Sequence, residues 1–148
     1  MVDMVKLRET LEDDEGRIDA VYLDHLGLPT FGIGHLITKN DEEHKLDVGT
    51  TVTPQRVFEA FEDDLKVIIK EAEKVFPGYF EFPEEVQKIL ANMMFNMGAP
   101  RLMKFKKLRA AVAEADWEEA AVQMKDSKWY DQVTNRADRL IARMEAVG

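Results

Sequence analysis

The sequence contains no cysteine and a single serine, Ser127, among its 148 residues. Without cysteine there is no disulfide framework, no thiolate nucleophile and no cysteine-ligated metal. Ser127 lacks the G-x-S-x-G surroundings of an esterase nucleophile, which disfavours serine-based catalysis. No apolar run approaches the roughly 18 residues that span a bilayer, and the charged start MVDMVKLRETLEDDE is unlike a signal peptide. We therefore expect synthesis in the cytoplasm of the producing cell and no membrane insertion.

The common cofactor and metal motifs are also missing. Gly32 and Gly34 supply only part of a G-x-G-x-x-G fingerprint, and no P-loop is present. A calcium loop aligned on Gly16 would place Leu11 and Tyr22 where acids are required. The three histidines lack H-E-x-x-H spacing. The sequence therefore predicts no cofactor and no metal.

The charge is strongly negative and unevenly distributed. The chain carries a net charge of -9, with -11 in residues 1–100 and +2 in residues 101–148. An acidic chain is a poor general nucleic-acid binder, because the phosphates repel it. The densest basic stretch, RLMKFKKLR at residues 101–109, has five positive charges and no acid. It is interpreted either as a solvated helix face or as a contact for an anionic polymer.

The periodicity of the apolar residues predicts an α+β protein with its sheet near the amino end. A short amphipathic helix is expected over residues 3–13, with Met4, Leu7, Leu11 and Val5 on one face and Gly16 as C-cap. Turn residues and alternation predict a small antiparallel sheet between residues 18 and 37. Thr53 and Pro54 predict the start of a long helix through about Val75. Further helices are expected over about 83–97, 101–113, 116–124 and 134–146.

Two acids near the amino end are candidates for paired chemistry. Glu15 and Asp24 are nine residues apart and would face opposite sides of a continuous helix, so they can meet only if the chain bends. The helix end at Gly16 and the strand after it supply such a bend. Hydrolysis of a glycosidic bond needs one protonated acid and one carboxylate. The structural alternative is that Glu15 simply ends a helix and Asp24 starts a turn.

The segment LPTFGIGH bears on the same region. If it is a continuous strand, Thr30, Gly32 and Gly34 share one nearly bare face, while Phe31, Ile33 and His35 share the other. A bare face would let a ligand approach the backbone, although glycines in strands can equally mark a bulge.

The string DEG followed by Tyr22, Asp24, Gly27, Thr30 and GIGH resembles the active-site segment of the phage-type lysozymes of glycoside hydrolase family 24, including those of T-even bacteriophages. The resemblance continues through NMMFNMG at 92–98 and DWEEAAVQMKDSKWYDQVTNRADRLI at 116–141, and so covers nearly the whole chain in order. It implies a single lysozyme domain over 1–148 with two lobes. The sheet would lie in an N-terminal lobe of about 14–60, which a long helix joins to a mainly helical C-terminal lobe of about 65–148 carrying the helix at 3–13.

The family resemblance also implies roles for individual residues. Glu15 would be the general acid, Asp24 would orient or deprotonate the attacking water, and the hydroxyl of Thr30 would hold that water. Gly34, Phe95 and Asn96 would contact substrate; packing is an equal alternative for Phe95 and a less favoured one for Asn96. His35 paired with Asp64, and Arg136 paired with Glu15, would give structural support.

The implied reaction is hydrolysis, generally with inversion, of the β-1,4 bond between N-acetylmuramic acid and N-acetylglucosamine in bacterial peptidoglycan. We expect a monomer that reaches the cell wall after release from the producing cell, through a separate membrane-permeabilising protein. Two alternatives stay open: a catalytically weak lysozyme-like module that binds wall glycan or a partner, and a lytic transglycosylase on the same scaffold. The sequence departs from the family at Leu26, where an acid is usual, and its acidic charge predicts weak adhesion to an anionic wall.

Overall fold

A computed structural model of the chain describes residues 4–147. Within this range the three strands form one antiparallel sheet and the remaining regular structure is helical, which confirms the predicted α+β, lysozyme-like fold. The strands are β1 (Ile18–Leu23), β2 (Pro29–Gly32) and β3 (His35–Leu36). The α-helices are α1 (Met4–Glu15), α2 (Pro54–Val75), α3 (Glu84–Met97), α4 (Ala99–Leu102), α5 (Lys106–Ala113), α6 (Trp117–Lys125), α7 (Lys128–Gln132) and α8 (Thr134–Val147), and short 3-10 helices cover Glu42–Lys45 and Tyr79–Glu81.

Helix α1 continues to Glu15, beyond the predicted limit at residue 13, and ends at the predicted cap, Gly16. Gly16 follows its last residue with φ of 76° and donates a backbone hydrogen bond to the carbonyl of Glu12 at 2.9 Å, closing the helix with a left-handed residue that glycine adopts without strain. Leu7 and Leu11 are buried as expected. Val5 is 57% exposed, so its placement on the buried face was wrong.

The sheet confirms the predicted antiparallel arrangement but corrects its details. Strand β1 pairs with β2 through Tyr22 opposite Thr30, and β2 pairs with β3 through Phe31 opposite His35. The expectation of one continuous strand through LPTFGIGH was wrong, because β2 ends at Gly32 with φ of 66° and the turn to β3 follows at Ile33 and Gly34, the latter with φ of 69°. The strict alternation of faces assumed for this segment therefore does not hold.

Helix α2 has the predicted limits. The hydroxyl of Thr53 accepts a hydrogen bond from the backbone N–H of Arg56 at 3.2 Å, which satisfies one of the donors at the helix start. Proline at the first helical position has no N–H to lose. Val57, Phe61 and Leu65 are each 1% exposed and form the buried stripe.

The described residues separate into two compact units. One consists of residues 8–67 and holds the sheet, and the other consists of residues 4–7 and 68–147 and is helical. Helix α2 is shared between them, since the division follows Val67. The hydrophobic core of the helical unit contains Trp129, Tyr79 and Phe76, whose side chains are each at most 2% exposed.

The carboxyl-terminal helices differ from the prediction at two points. The helix expected over 101–113 is two helices, α4 and α5, because Phe105 leaves helical geometry at φ of -81° and ψ of 68°. Helix α7 was not predicted. It begins after Ser127, whose hydroxyl accepts a hydrogen bond from the backbone N–H of Tyr130 at 3.2 Å.

Candidate active site

Glu15 is the last residue of α1, and local contacts fix the corner that follows it. The guanidinium of Arg17 pairs with Asp19 at 2.8 Å and with Glu12 at 3.4 Å. Arg8 and Arg17 also lie over the ring of Phe58 in α2, 4.8 and 4.7 Å from its centre. Such cation–π contacts add to the packing of the exit from α1 against α2. The end of the helix that carries Glu15 is therefore braced by these contacts.

Asp24 occupies the turn between β1 and β2 and organises it. Its Oδ1 accepts hydrogen bonds from the backbone N–H groups of Leu26 at 2.8 Å and Leu28 at 2.9 Å. These donors, that of Leu28 foremost, lower the pKa of Asp24 below its ordinary value, because they stabilise the ionised form. Among residues 4–147, no protein group forms a hydrogen bond with Oδ2 of Asp24. The turn thus holds an ionised carboxylate by one oxygen only.

Thr30 is connected to Asp24 through a single residue. Its hydroxyl donates to the carbonyl oxygen of Leu28 at 2.9 Å, while the N–H of the same Leu28 donates to Asp24. A hydroxyl has one hydrogen to donate and two lone pairs to accept with. Because the hydrogen is already used, the hydroxyl oxygen of Thr30, in a residue that is 3% exposed, can only accept a further hydrogen bond.

Tyr22 belongs to this group of residues and was not among the predicted site residues. It stands opposite Thr30 in the sheet, and its pKa is raised by burial and then by the negative charges of Glu15 and Asp24. Both predicted catalytic acids therefore act electrostatically on the same phenol. Tyr22 lies in the sequence motif that carries the family resemblance, which was the available signal.

His35 lies between two carboxylates. Its Nδ1 is 2.7 Å from an oxygen of Asp64, the expected contact, and its Nε2 is 3.0 Å from an oxygen of Asp41, which was not expected. Burial lowers the pKa of His35, but the hydrogen bonds and charges of Asp64 and Asp41 outweigh it and raise the pKa above 6.5. Arg56 extends the network, because its guanidinium contacts Asp41 at 3.1 Å and the buried Glu43 at 2.9 Å. This network lies within residues 8–67 and stabilises the unit that carries Glu15, Asp24 and Thr30.

The two glycines of the GIGH turn have different environments. A side chain at Gly32 would approach Val57 to 3.0 Å, so helix α2 covers this position and the prediction of a bare face open to ligand was wrong here. Gly34 is exposed, and its contact with substrate stays a prediction.

The remaining predicted site residues lie in the helical unit. Asn92 is fully buried and its Oδ1 accepts a hydrogen bond from Nε of the buried Arg136 at 2.9 Å. The Oδ1 of Asn96 accepts from the indole N–H of Trp129 at 2.8 Å. Phe95 is half-buried. The pairing of Arg136 with Glu15 and the sugar contacts of Phe95 and Asn96 stay predictions.

The described residues also bear on metal binding and membrane insertion. Within 4–147, His, Asp and Glu side chains do not gather in groups of three that could hold a metal ion. In this range no helix is both long enough and apolar enough to cross a bilayer.

Comparison with known proteins assigns the family. The profile of the phage lysozyme family matches residues 12–146. The chain is 34% identical to the probable T4-type lysozyme 2 of Dictyostelium discoideum, over 94% of this chain and 93% of that protein. It is 32% identical to the pre-baseplate central spike protein Gp5 of Enterobacteria phage T4, over 92% of this chain and 27% of that protein. It is 27% identical to the peptidoglycan hydrolase gp36 of Pseudomonas phage phiKMV, over 96% of this chain and 15% of that protein. The chain therefore belongs to the phage lysozyme family.

Proposed function

We propose that this protein is a peptidoglycan hydrolase of muramidase type, which cleaves the β-1,4 bond between N-acetylmuramic acid and N-acetylglucosamine with inversion. Membership of the phage lysozyme family supports the class of reaction. The observation that carries the mechanism is the linkage of Asp24 and Thr30 through the two backbone groups of Leu28.

Asp24 serves as the base that orients and deprotonates the attacking water. A base must be ionised and must have a lone pair directed away from its own supports. The lowered pKa of Asp24 meets the first requirement. Both backbone donors bind Oδ1, which leaves Oδ2 to meet the second requirement. The water donates one hydrogen to Oδ2 of Asp24.

Thr30 fixes the second hydrogen of that water. Its own hydrogen is bonded to the carbonyl of Leu28, so Thr30 accepts and does not donate. A water that donates to both Asp24 and Thr30 keeps its lone pairs free for attack on the anomeric carbon. Holding the nucleophile in this way removes part of the entropic cost of the reaction.

Glu15 completes the reaction as the general acid. In the proposed step the water oxygen bonds to the anomeric carbon, the glycosidic bond breaks, and Glu15 transfers its proton to the leaving oxygen while Asp24 receives the proton of the water. Attack opposite the leaving group inverts the configuration. Gly34, Phe95 and Asn96 are proposed substrate contacts.

The setting of the reaction is part of the proposal. The substrate is the bacterial cell wall, and the protein acts as a monomer after its release from the cell that makes it. It uses neither a cofactor nor a metal, because water activation is assigned to Asp24 and Thr30 and proton donation to Glu15.

The test is the clearing of purified peptidoglycan by the wild type and by three variants. Glu15→Gln removes the acid, and Glu9→Gln is the matched control because it makes the same change at an exposed position of α1. Asp24→Asn retains an oxygen for the two backbone donors but removes the base. We expect clearing to fall by about 10²–10⁴-fold in Glu15→Gln and Asp24→Asn, and to be unchanged in Glu9→Gln.

The products decide between the alternatives. Reducing sugar ends that initially have the inverted configuration support the proposal. Anhydro sugar ends would instead indicate a lytic transglycosylase. Binding to the wall without clearing by the wild type would indicate a binding module and would refute the proposal.

A further inference from the structure

The ring of Phe58 contacts arginines on both sides of Glu15 in the sequence. Phe58 lies in the second turn of α2 and is half-buried. The guanidinium carbon of Arg8, in α1, is 4.8 Å from the centre of this ring, and that of Arg17, two residues after Glu15, is 4.7 Å from it. A single side chain of α2 therefore holds the chain before and after the proposed general acid.

The contact that Arg8 makes is not with the acid one turn along its helix. Glu12 lies four residues after Arg8, and side chains at this spacing are neighbours on a helix surface. Glu12 is instead 3.4 Å from Arg17, which also pairs with Asp19 at 2.8 Å. Over residues 4–147, Arg8 is not within salt-bridge distance of an acid. The aromatic ring, rather than a carboxylate, therefore holds Arg8 in place.

The residue before Phe58 contacts another part of the proposed site. Val57 is 1% exposed, and a Cβ added at Gly32 would lie 3.0 Å from its Cγ1. Gly32 is two residues after Thr30 in β2. Two consecutive residues of α2 thus contact the segment around Glu15 and the strand that carries the proposed water-holding hydroxyl. Helix α2 is a common support for both.

The distance between the acid and the water matters for the rate. In the proposed reaction the proton of Glu15 reaches the leaving oxygen while the water held by Asp24 and Thr30 attacks the anomeric carbon. A displacement of about 1 Å in such a geometry can lower the rate by about 10²-fold. A support that fixes Glu15 relative to β2 therefore acts on the chemical step without touching the substrate.

We propose that Phe58 is a positioning residue for Glu15, which holds the end of α1 in place relative to β2 through Arg8 and Arg17. This inference rests on the proposed function, because it requires Glu15 to be the acid. If Phe58 served packing alone, its loss would lower stability and leave the kcat of the folded protein unchanged.

The test is the kinetics of the full chain on soluble, uncrosslinked peptidoglycan strands, at a temperature where every variant is folded. Phe58→Leu keeps an apolar side chain but removes the aromatic ring, so kcat should fall about tenfold while KM stays within about twofold. Phe58→Tyr keeps a ring that binds cations, so its kcat should stay within about twofold of the wild type. Phe80→Leu is the matched control, because it makes the same change at an exposed ring outside α2, and its kcat should be unchanged.

A double variant tests whether Phe58 acts through its cations. Arg8→Gln alone should lower kcat about threefold, and in the Phe58→Leu background it should lower kcat no further, because its partner is already absent. Arg17 is less suited to this comparison, since its replacement would also remove the partner of Glu12 and Asp19.

Three results would overturn the proposal: an unchanged kcat in Phe58→Leu, the same loss in Phe58→Tyr as in Phe58→Leu, or additive losses in the double variant. Glu15→Gln, measured alongside, separates the two hypotheses. If Glu15→Gln is as active as the wild type, the proposed function fails. If Glu15→Gln is inactive and Phe58→Leu is fully active, only the positioning role fails.

Discussion

Replacing His35 by glutamine should lower stability in a pH-dependent manner. Protonated His35 donates to Asp64 at 2.7 Å and to Asp41 at 3.0 Å, and the three side chains are 12%, 31% and 14% exposed. The pKa of His35 is raised above 6.5, so its contribution to stability is complete below pH 6.5 and is lost as the pH rises through the higher folded pKa. The pKa of Asp41 is lowered below 3.8, so its contribution is complete above pH 3.8 and is lost at more acidic pH. The stabilisation by this network is therefore largest between pH 3.8 and pH 6.5.

The size of the effect follows from the two hydrogen bonds. A hydrogen bond to a charged group contributes about 1.5–3 kcal/mol, and partial exposure reduces this figure. Glutamine can replace at most one of the two donors, so we expect a loss of about 2 kcal/mol at mildly acidic pH. For a chain of this size that is a fall in Tm of about 4–8 °C. At alkaline pH the neutral imidazole also has only one N–H, and the difference should shrink to under about 1 kcal/mol.

Thermal unfolding of the wild type and His35→Gln from about pH 5 to about pH 9 measures this difference. His44→Gln is the control, since His44 is exposed and belongs to the same segment. A stability loss in His35→Gln that does not vary with pH would refute the reasoning, and so would an equal pH dependence in His44→Gln.

Two further predictions concern packing. Gly32→Ala should destabilise the protein by about 2–3 kcal/mol, because the added methyl group meets Val57 at 3.0 Å and the backbone φ is 66°. Gly49→Ala is the control: its added methyl group has space, so it should cost only the backbone strain of about 1–2 kcal/mol. Denaturant unfolding of both variants checks this difference, and equal losses would contradict it. Trp129→Phe should lower stability by about 1–3 kcal/mol through loss of the bond to Asn96 and of buried volume, and an unchanged Tm would contradict this.

Much of the fold is predictable because its signals are local. The Thr53–Pro54 cap and the helix end at Gly16 follow from sequence alone, as does the small antiparallel sheet. The turn at Ile33 and Gly34 was missed because glycines at the alternate positions 32 and 34 fit the period of a strand. The break between α4 and α5 contains no glycine or proline, so the sequence does not indicate it. Helix α7 is too short to show helical periodicity.

For the candidate site, the sequence nominates residues but does not indicate the contacts that connect them. Glu15, Asp24 and Thr30 were assigned from the motif, while the link between Asp24 and Thr30 uses main-chain atoms that every residue type except proline provides at position 28. The network of His35, Asp41 and Arg56 joins charges that are distant in sequence, so their spacing carries no signal.

The main-chain linkage at Leu28 also bears on how this enzyme family can vary. The proposed base and water-holding hydroxyl are held by an N–H and a carbonyl of Leu28, so these two hydrogen bonds do not require a leucine side chain at that position. Leu26 and Leu28 are 70% and 42% exposed beside that fixed pair. We therefore expect replacements at Leu26 and Leu28 to leave these two hydrogen bonds in place, which makes the hairpin tip a suitable position for laboratory evolution of the proposed substrate preference.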